Sequence, residues 1–425
     1  MNVLVVGGGG REHALCWALS HSATVFCAPG NPGTATLATN LSIDNDNHRA
    51  FVEAVRERSI DLVVVGPEVP LALGLVDALD AAGIPSFGPT RAAAQLEASK
   101  AFAKSVMLAA GVPTAPSETF TDAAKALDYV SGHSEPLVVK ASGLAAGKGV
   151  IICETRDQAA DAVREMFGGR FGSAGHEVIV ETYLEGEELS VFAMTDGEHT
   201  MLLPSAQDHK RLGEGDTGPN TGGVGAYTPV SIASDALLSR ATNEVLTPTL
   251  RQMASDGRPF RGMLYAGLMI DSSGAPFVLE FNCRFGDPET QVVLPAAGNL
   301  DLAAHMFAIA KGETWNAPSR VDATQAAVTT VVAAPGYPAA PVKGAAIDVP
   351  STMPQDTILF HAGTKLDEHG TLRASGGRVL CATGLGGSVA EAAERSRELA
   401  EAVTFENAVF RHDIAWREVA RAGAA

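Results

Sequence analysis

The sequence predicts an α/β fold that opens with a parallel sheet and turns to mixed α+β structure in its central part. Three observations predict it. Short apolar runs alternate with helical periodicity over the first hundred residues, two apolar runs flank a glycine-rich segment near residue 145, and a Pro/Gly-rich stretch at 333–341 sets off a final segment. At 425 residues the chain exceeds one ordinary core, and about 150 residues per domain predicts roughly three.

The elements follow in order. Residues 3–6 read as a buried strand, a helix follows from about Arg11, residues 24–27 form the next strand, and 62–65 another before Gly66-Pro67-Glu68. Strands alternating with helices imply a parallel sheet with right-handed crossovers, whose ligand-facing edge carries loops 7–10 and 66–70. A dinucleotide fingerprint fails on spacing. The pattern G-x-G-x-x-G requires glycine where Glu12 or His13 stands, and Cys27-Ala28-Pro29-Gly30 replaces the acid expected about 20 residues on. The glycine cluster therefore reads either as a turn bringing backbone N–H groups to a phosphate or as a tight turn without a ligand. A helix is expected over 91–110, stopping at Gly111-Val112-Pro113. Residues 136–140 and 149–153 resemble a hairpin whose small-residue tip can close over a ligand. Strands near 358–361 and 379–383 and a helix near 389–403 complete the chain.

A net charge of −18 without a Lys/Arg run argues against nucleic acid or an anionic membrane as partner. Anionic small substrates must then be held by local cations. Cys16, Cys27, Cys153, Cys283 and Cys381 form no C-x-x-C pair and are odd in number, so they read as reduced and structural. The N-terminus lacks the features of a signal peptide, and no segment approaches the ~20 unbroken apolar residues of a spanning helix. The expectation is a soluble cytoplasmic enzyme.

The chemistry concentrates at 279–291. Glu280, Asn282 and Arg284 recur at every second residue behind an apolar strand, so they point into one site while Phe281, Cys283 and Phe285 point away. Glu and Asn offer hard oxygens for Mg²⁺, and Arg offers a planar fork for phosphate or carboxylate. Metal-assisted phosphoryl transfer is the reading; the bland one for Arg284 is an ion pair with Asp287 or Glu289. Gly143-Leu-Ala-Ala-Gly147-Lys148-Gly149 is one residue too short for a Walker loop and has glycine in place of its hydroxyl. Lys140 and Lys148 nevertheless flank a glycine-rich tip and suit polyphosphate, although either alone reads as solvated surface. Glu181 and Glu188 surround a connector that could read adenine and ribose, or be an ordinary acidic loop. The histidines form no H-E-x-x-H or H-x-H pattern, which argues against zinc. His209 beside Asp208 could assist proton removal or serve a cap or the core.

These elements in this order resemble the ATP-grasp superfamily, and the surrounding words narrow the resemblance to the glycinamide ribonucleotide synthetase family. The match covers essentially the whole chain. It includes Gly9-Gly10-Arg11-Glu12-His13-Ala14, Val65-Gly66-Pro67-Glu68, Gly143 to Val150, Gln207-Asp208-His209-Lys210-Arg211, Thr217 to Gly223, Tyr265 to Asp271, Glu280 to Gln291 and His361-Ala-Gly-Thr-Lys365. The resemblance implies an ATP-grasp fold with a Rossmann-like N-terminal domain at 1–100, a catalytic domain at 101–325 with a lid at about 120–186, and a C-terminal domain at 326–425. It implies that ATP, glycine and 5-phosphoribosylamine give ADP, phosphate and glycinamide ribonucleotide through glycyl phosphate, an early step of de novo purine synthesis.

By the same resemblance, Lys100 and Lys140 contact the phosphates of ATP, with Ser142, Gly143, Gly147 and Lys148 in the covering loop. Glu181 and the backbone of Leu184 hold adenine, and Glu188 holds ribose. Glu280 and Asn282 bind Mg²⁺ or Mn²⁺, and Arg284 steadies the transferred phosphoryl group or the glycine carboxylate. Asp208, Lys210, Gly222 and Gly223 lie near the acceptor, and Gly9, Gly10 and Arg11 at the sugar-phosphate end. Arg284, Lys140 and Asp208 are the candidate catalytic residues. Two departures stand out: Ser142 replaces the family's usual Asp, putting an electrostatic role there in doubt, and Leu268 stands where many other ATP-grasp enzymes have a further acidic ligand. A monomer is expected, with transient contact to the amidotransferase that forms phosphoribosylamine. The alternatives are another ATP-grasp carboxylate-amine ligase or carboxylase, a non-catalytic ATP-binding regulator and, weakest, a nicotinamide dehydrogenase.

Overall fold

Strand Asn2–Gly7 is apolar on both faces, and in the computed structural model Val3, Leu4, Val5 and Val6 are fully buried. Such a strand suits the middle of a parallel sheet covered on both sides. Five parallel strands run in the order 39–40, 24–29, 2–7, 62–65, 86–87. The order reverses at Asn2–Gly7, so loops 7–10 and 66–68 flank a topological switch point. The structure describes residues 1–44, 46–133, 136–145 and 149–424.

The helix expected over 91–110 is interrupted. Turns occupy 91–94, helix Gln95–Ala98 follows, and Ser99 adopts extended backbone before helix Lys100–Ala110. Ser99 Oγ accepts the Phe102 N–H at 3.1 Å and caps the second helix. Leu96 and Ala103 are buried on either side of the break, so apolar periodicity does not reveal it.

The expected hairpin forms from Leu137–Ala141 and Val150–Cys153. With Val178–Thr182 and Ser117–Phe120 it makes an antiparallel sheet in the order 117–120, 178–182, 137–141, 150–153. Val130, Leu137, Val139, Val163, Val178 and Val180 give this part a core of its own. By contrast, Leu264, Leu268 and Val278 of a second antiparallel sheet (200–202, 187–195, 262–270, 276–282) share one core with Leu4, Val6 and Val63. A body with a separate core can move against its neighbours.

A third antiparallel sheet, in the order 207–208, 225–228, 326–333, 378–386, 357–361, unites central and C-terminal segments. The Pro/Gly-rich stretch leaves this sheet after Ala326–Ala333 rather than preceding its first C-terminal strand. Helix Val389–Ala402 packs on it through Leu399 and Ala400. Among the described residues no helix is long and apolar enough to cross a membrane, and all five cysteines are free and buried.

Candidate active site

Glu280 and Asn282 close strand Pro276–Asn282, opposite Gly267 and Tyr265 of Gly262–Ile270. A register shift leaves Leu279 outside the regular pairing, and its carbonyl accepts Lys140 Nζ at 3.3 Å. Gly267 keeps the floor open, since a Cβ there would sit 3.3 Å from Glu280 Cγ. Phe281 enters the core as alternation requires, and Cys283, one residue past the strand, is buried there too. The strand ends at Asn282, so strand geometry does not extend to Arg284. Its guanidinium turns back to donate to Asn282 Oδ1 at 2.9 Å and Phe285 O at 3.1 Å, and it pairs with Glu97 at 3.0 Å and Glu68 at 3.6 Å. Those partners replace Asp287 and Glu289, which the sequence offered. Asp287 pairs with Arg378 instead, at 2.7 Å.

Burial opposes charge on Glu280, but Lys210, Lys100, Lys140 and Arg284 more than offset it and hold its pKa below the usual range. Among the described residues no cation pairs with it directly, so its oxygens stay charged and unclaimed. Asn282 Oδ1 keeps a lone pair after receiving Arg284. Two hard oxygens suit Mg²⁺, which takes its remaining ligands from water and phosphate. No group of three or more His, Cys, Asp or Glu able to hold a metal occurs among the described residues.

Lysines from helix Lys100–Ala110 and strand Leu137–Ala141 lie close together. Lys140 Nζ lies 2.7 Å from Glu181 Oε2, and Lys104 Nζ lies 3.1 Å from Oε1, so both oxygens of Glu181 are occupied. Lys104, buried and also bonded to Thr114 Oγ1 at 2.7 Å and Ala115 O at 3.0 Å, is absent from the sequence expectations. Its spacing of four from Lys100 on one helix was the available signal. Lys100 Nζ donates to Gly143 O at 3.3 Å, and burial lowers its pKa, aided by Lys140 and opposed by Glu280. Ser142 Oγ accepts the Ala101 N–H at 3.2 Å, at the start of the Lys100–Ala110 helix. Gly143 has no room for a side chain, because a Cβ would lie 2.7 Å from Ala174 Cα. Leu184 sits half-buried in the connector after Val178–Thr182. Gly147 and Lys148 lie outside the described residues.

On the other side, Glu188 of strand Glu187–Thr195 pairs with Lys210. Asp208 shares that lysine's field, so two carboxyls compete for one cation. Burial, reinforced by Glu289, Glu188 and Glu280, pushes the Asp208 pKa up to about 8 against the pull of Lys210. Lys210 itself is raised, because Glu188 and Asp208 outweigh its burial. Ser190 Oγ bridges Tyr265 OH at 3.1 Å and Glu289 Oε1 at 3.4 Å below them. His209 is turned away: it is buried, and Nε2 accepts the Ala415 N–H at 2.9 Å. Its structural reading holds, and its lone pair is not free to take a substrate proton.

The glycine cluster has a physical reason. A Cβ on Gly7 or Gly66 would strike the Glu12 side chain at 2.5 or 2.3 Å, and Glu12 Oε2 accepts the Gly9 N–H at 2.7 Å. The turn is thus shaped around Glu12, while Gly9 and Gly10 still border open space. That space is a cavity of about 400 Å³ lined by Gly8, Gly9 and Gly10, by Thr221, Gly222 and Asp287, and by Tyr337, Ala362, Gly363 and Arg378. Arg378 was not foreseen. It donates to Gly222 O at 2.6 Å and Asp287 O at 2.7 Å besides its ion pair. Gly223 lies just behind the wall, where a Cβ would meet Pro288 Cδ at 2.4 Å. Arg11 does not line the cavity. It is buried against Glu12 at 2.6 Å, with Phe285 O at 3.4 Å and Glu68 at 3.9 Å.

Comparison with known proteins places this arrangement. Residues 1–97, 98–290 and 327–417 match the N, ATP-grasp (A) and C domains of phosphoribosylglycinamide synthetase. A phosphoribosylamine–glycine ligase of Vibrio vulnificus is 48% identical over 431 aligned positions, covering 99% of each chain. That of Agrobacterium fabrum is 47% identical over 426 positions, with the same coverage. The crystal structure of the Thermotoga maritima phosphoribosylamine–glycine ligase superposes with a TM-score of 0.84 at 33% identity, covering 98% of this chain and 100% of that one. A biotin carboxylase domain from Hydrogenobacter thermophilus shares the fold at TM-score 0.72 with 18% identity, over 97% of this chain and 92% of its own. The chain belongs to the phosphoribosylglycinamide synthetase family.

Proposed function

We propose that this chain joins glycine to 5-phosphoribosylamine at the expense of ATP, giving glycinamide ribonucleotide, ADP and phosphate in de novo purine (IMP) biosynthesis. One observation carries the reading: buried Glu280 lies in the field of Lys210, Lys100, Lys140 and Arg284, the last of which also binds Asn282 two residues on, in a chain whose N-terminal, central and C-terminal residues close one cavity. The full-length relatives named phosphoribosylamine–glycine ligase support the substrates. The domain division 1–100, 101–325 and 326–425, with a lid at about 120–186, belongs to the same proposal. Five buried free thiols support a reducing, cytoplasmic setting.

The chemistry follows from the substrates. A carboxylate is a poor acyl donor, so its oxygen attacks the γ-phosphorus of ATP, ADP departs, and glycyl phosphate forms. The amine of phosphoribosylamine then attacks the acyl carbon, and phosphate leaves. No protein nucleophile is required, and the protein contributes position and charge. Lys100 and Lys140 hold phosphate oxygens, and Arg284 steadies the phosphoryl group or the glycine carboxylate. Glu280 and Asn282 would hold Mg²⁺ or Mn²⁺, which when bound neutralises phosphate charge. Glu181 and Leu184 line the adenine end, with Glu181 also fixing Lys140. Glu188 is offered to ribose while it orients Lys210. Asp208, whose pKa is pushed up to about 8, accepts in its ionised form the proton released by the attacking amine. Gly9, Gly10 and Gly222 approach the sugar phosphate, and Arg11 supports them from behind. Ser142 and Gly143 position the lid, whose closure over ATP excludes water that would hydrolyse the acyl phosphate.

The test is ADP release with each substrate omitted in turn. Turnover requiring both glycine and phosphoribosylamine is expected. Turnover with bicarbonate in their place, or nucleotide binding without any ADP formation, would refute the proposal.

A further inference from the structure

The hairpin of Arg211–Gly213 and Thr217–Asn220 connects two segments assigned above to the acceptor. Lys210 precedes it, and Thr221 and Gly222 of the cavity wall follow it. Among the described residues its strands pair only with each other, and residues 214, 215 and 217–219 are exposed. A two-stranded ribbon is marginal alone, so its orientation must be set from outside. The base is tied to the site, because the Thr221 N–H and Oγ1 both donate to Lys210 O at 2.8 Å. Any tilt of the hairpin therefore reaches Lys210 and Gly222.

The C-terminal segment supplies the external hold. Arg411, only 1% exposed, grips Asp413 with two bonds of 2.7 Å and donates to Arg211 O and Asp216 Oδ1, each at 2.9 Å. Asp413 accepts the Gly215 N–H at 2.8 Å, and Arg417 reaches Asp216 Oδ2 at 2.6 Å. Ala415 N–H holds His209, and Arg421 pairs with Glu187. His209 and Glu187 are the chain neighbours of Asp208, Lys210 and Glu188, and adjacent residues of extended chain point to opposite faces. The site thus occupies the front of these strands and the C-terminal segment the back.

We propose that this C-terminal segment is a positioning clamp for the acceptor end, with Arg411 and Asp216 as positioning residues acting through the hairpin and His209 on Asp208, Lys210 and Gly222. It rests on the assignment of those three to the acceptor. A clamp and a mere fastening differ in what they change: a clamp alters use of the acceptor, a fastening alters only stability.

The experiment uses the full chain carrying Asp216→Ala, with Asp216→Glu as the conservative control. Steady-state kinetics with phosphoribosylamine generated in situ are compared with ATP kinetics and thermal melting. KM for phosphoribosylamine should rise about tenfold or more, KM for ATP should stay within about twofold, and Asp216→Glu should recover much of the loss. Unchanged kcat and KM for phosphoribosylamine, whatever happens to the melting temperature, would overturn the clamp. If Asp216→Ala does not fold, Arg417→Gln decides by the same kinetic criterion. A wild-type chain whose ADP release ignores phosphoribosylamine would instead sink the proposed function, and the clamp with it.

Discussion

Glu280 and Asp208 are two carboxyls in the field of one lysine, Lys210, yet their environments drive them apart. Four cations surround Glu280 and keep it ionised. Asp208 has Lys210 against burial and three further carboxyls, and it rises to about 8. Separated carboxyl pKa values within one site mark separate roles. Glu280→Ala should therefore abolish turnover while leaving a cooperative melting transition, and near-normal activity would refute its metal role. The stability effects also differ in sign. Glu280 has a depressed native pKa, so its contribution is present above the unfolded value and lost as pH falls through the native one. Asp208 binds its proton more tightly when folded, so stability falls as pH rises between about 4 and about 8. Asp208→Asn removes that penalty. Its melting temperature should exceed wild type at pH 8.5 and match it near pH 4, while kcat falls by at least about 100-fold. An equal melting temperature at both pH values would show that the carboxyl is not perturbed.

At the scale of elements, Ser142 joins the sheet containing Leu137–Ala141, part of the proposed lid, to helix Lys100–Ala110. Its carbonyl accepts the Lys100 N–H at 2.8 Å and its hydroxyl accepts the Ala101 N–H, so the end of Leu137–Ala141 is fastened to the helix start. A hydroxyl suffices for that contact. Ser142→Ala should cost about 0.5–1.5 kcal/mol in denaturant unfolding, and Ser142→Asp should recover about 0.3–1 kcal/mol from the helix N-terminus. Indistinguishable midpoints for all three proteins would mean that the contact carries no energy. Legibility follows the same local logic. The strands at 2–7, 62–65 and 137–141 are short apolar runs bounded by turn residues, and Glu280 and Asn282 sit within one such strand, so local pattern suffices. Arg284 lies past the strand end, where alternation stops constraining direction. The break at Ser99 leaves the apolar phase intact, and Arg378 meets Asp287 across 91 residues of chain, a distance no local pattern encodes.

At the scale of the molecule, the cavity is where the chain's three thirds meet. The parallel sheet brings Gly9 and Gly10, the central segments bring Gly222 and Asp287, and the sheet containing Arg378–Gly386 brings Arg378. Among the described residues, the sheet of 117–120, 137–141, 150–153 and 178–182, with its separate core, contributes none of the lining. A ligand filling this cavity must then stabilise the molecule as a whole, whereas a nucleotide at the site proposed for ATP, between the proposed lid and Lys100, should act more locally. Glycinamide ribonucleotide at one hundred times its Kd should add about 2.7 kcal/mol to unfolding. It should slow amide exchange together at 8–10, 221–223 and 362–363. A non-hydrolysable ATP analogue should protect 140–145 and 178–188 first. Three segments distant in sequence report one binding event only if they bound the same space. Protection confined to one of the three, with the others exchanging as in the free protein, would place the sugar phosphate elsewhere.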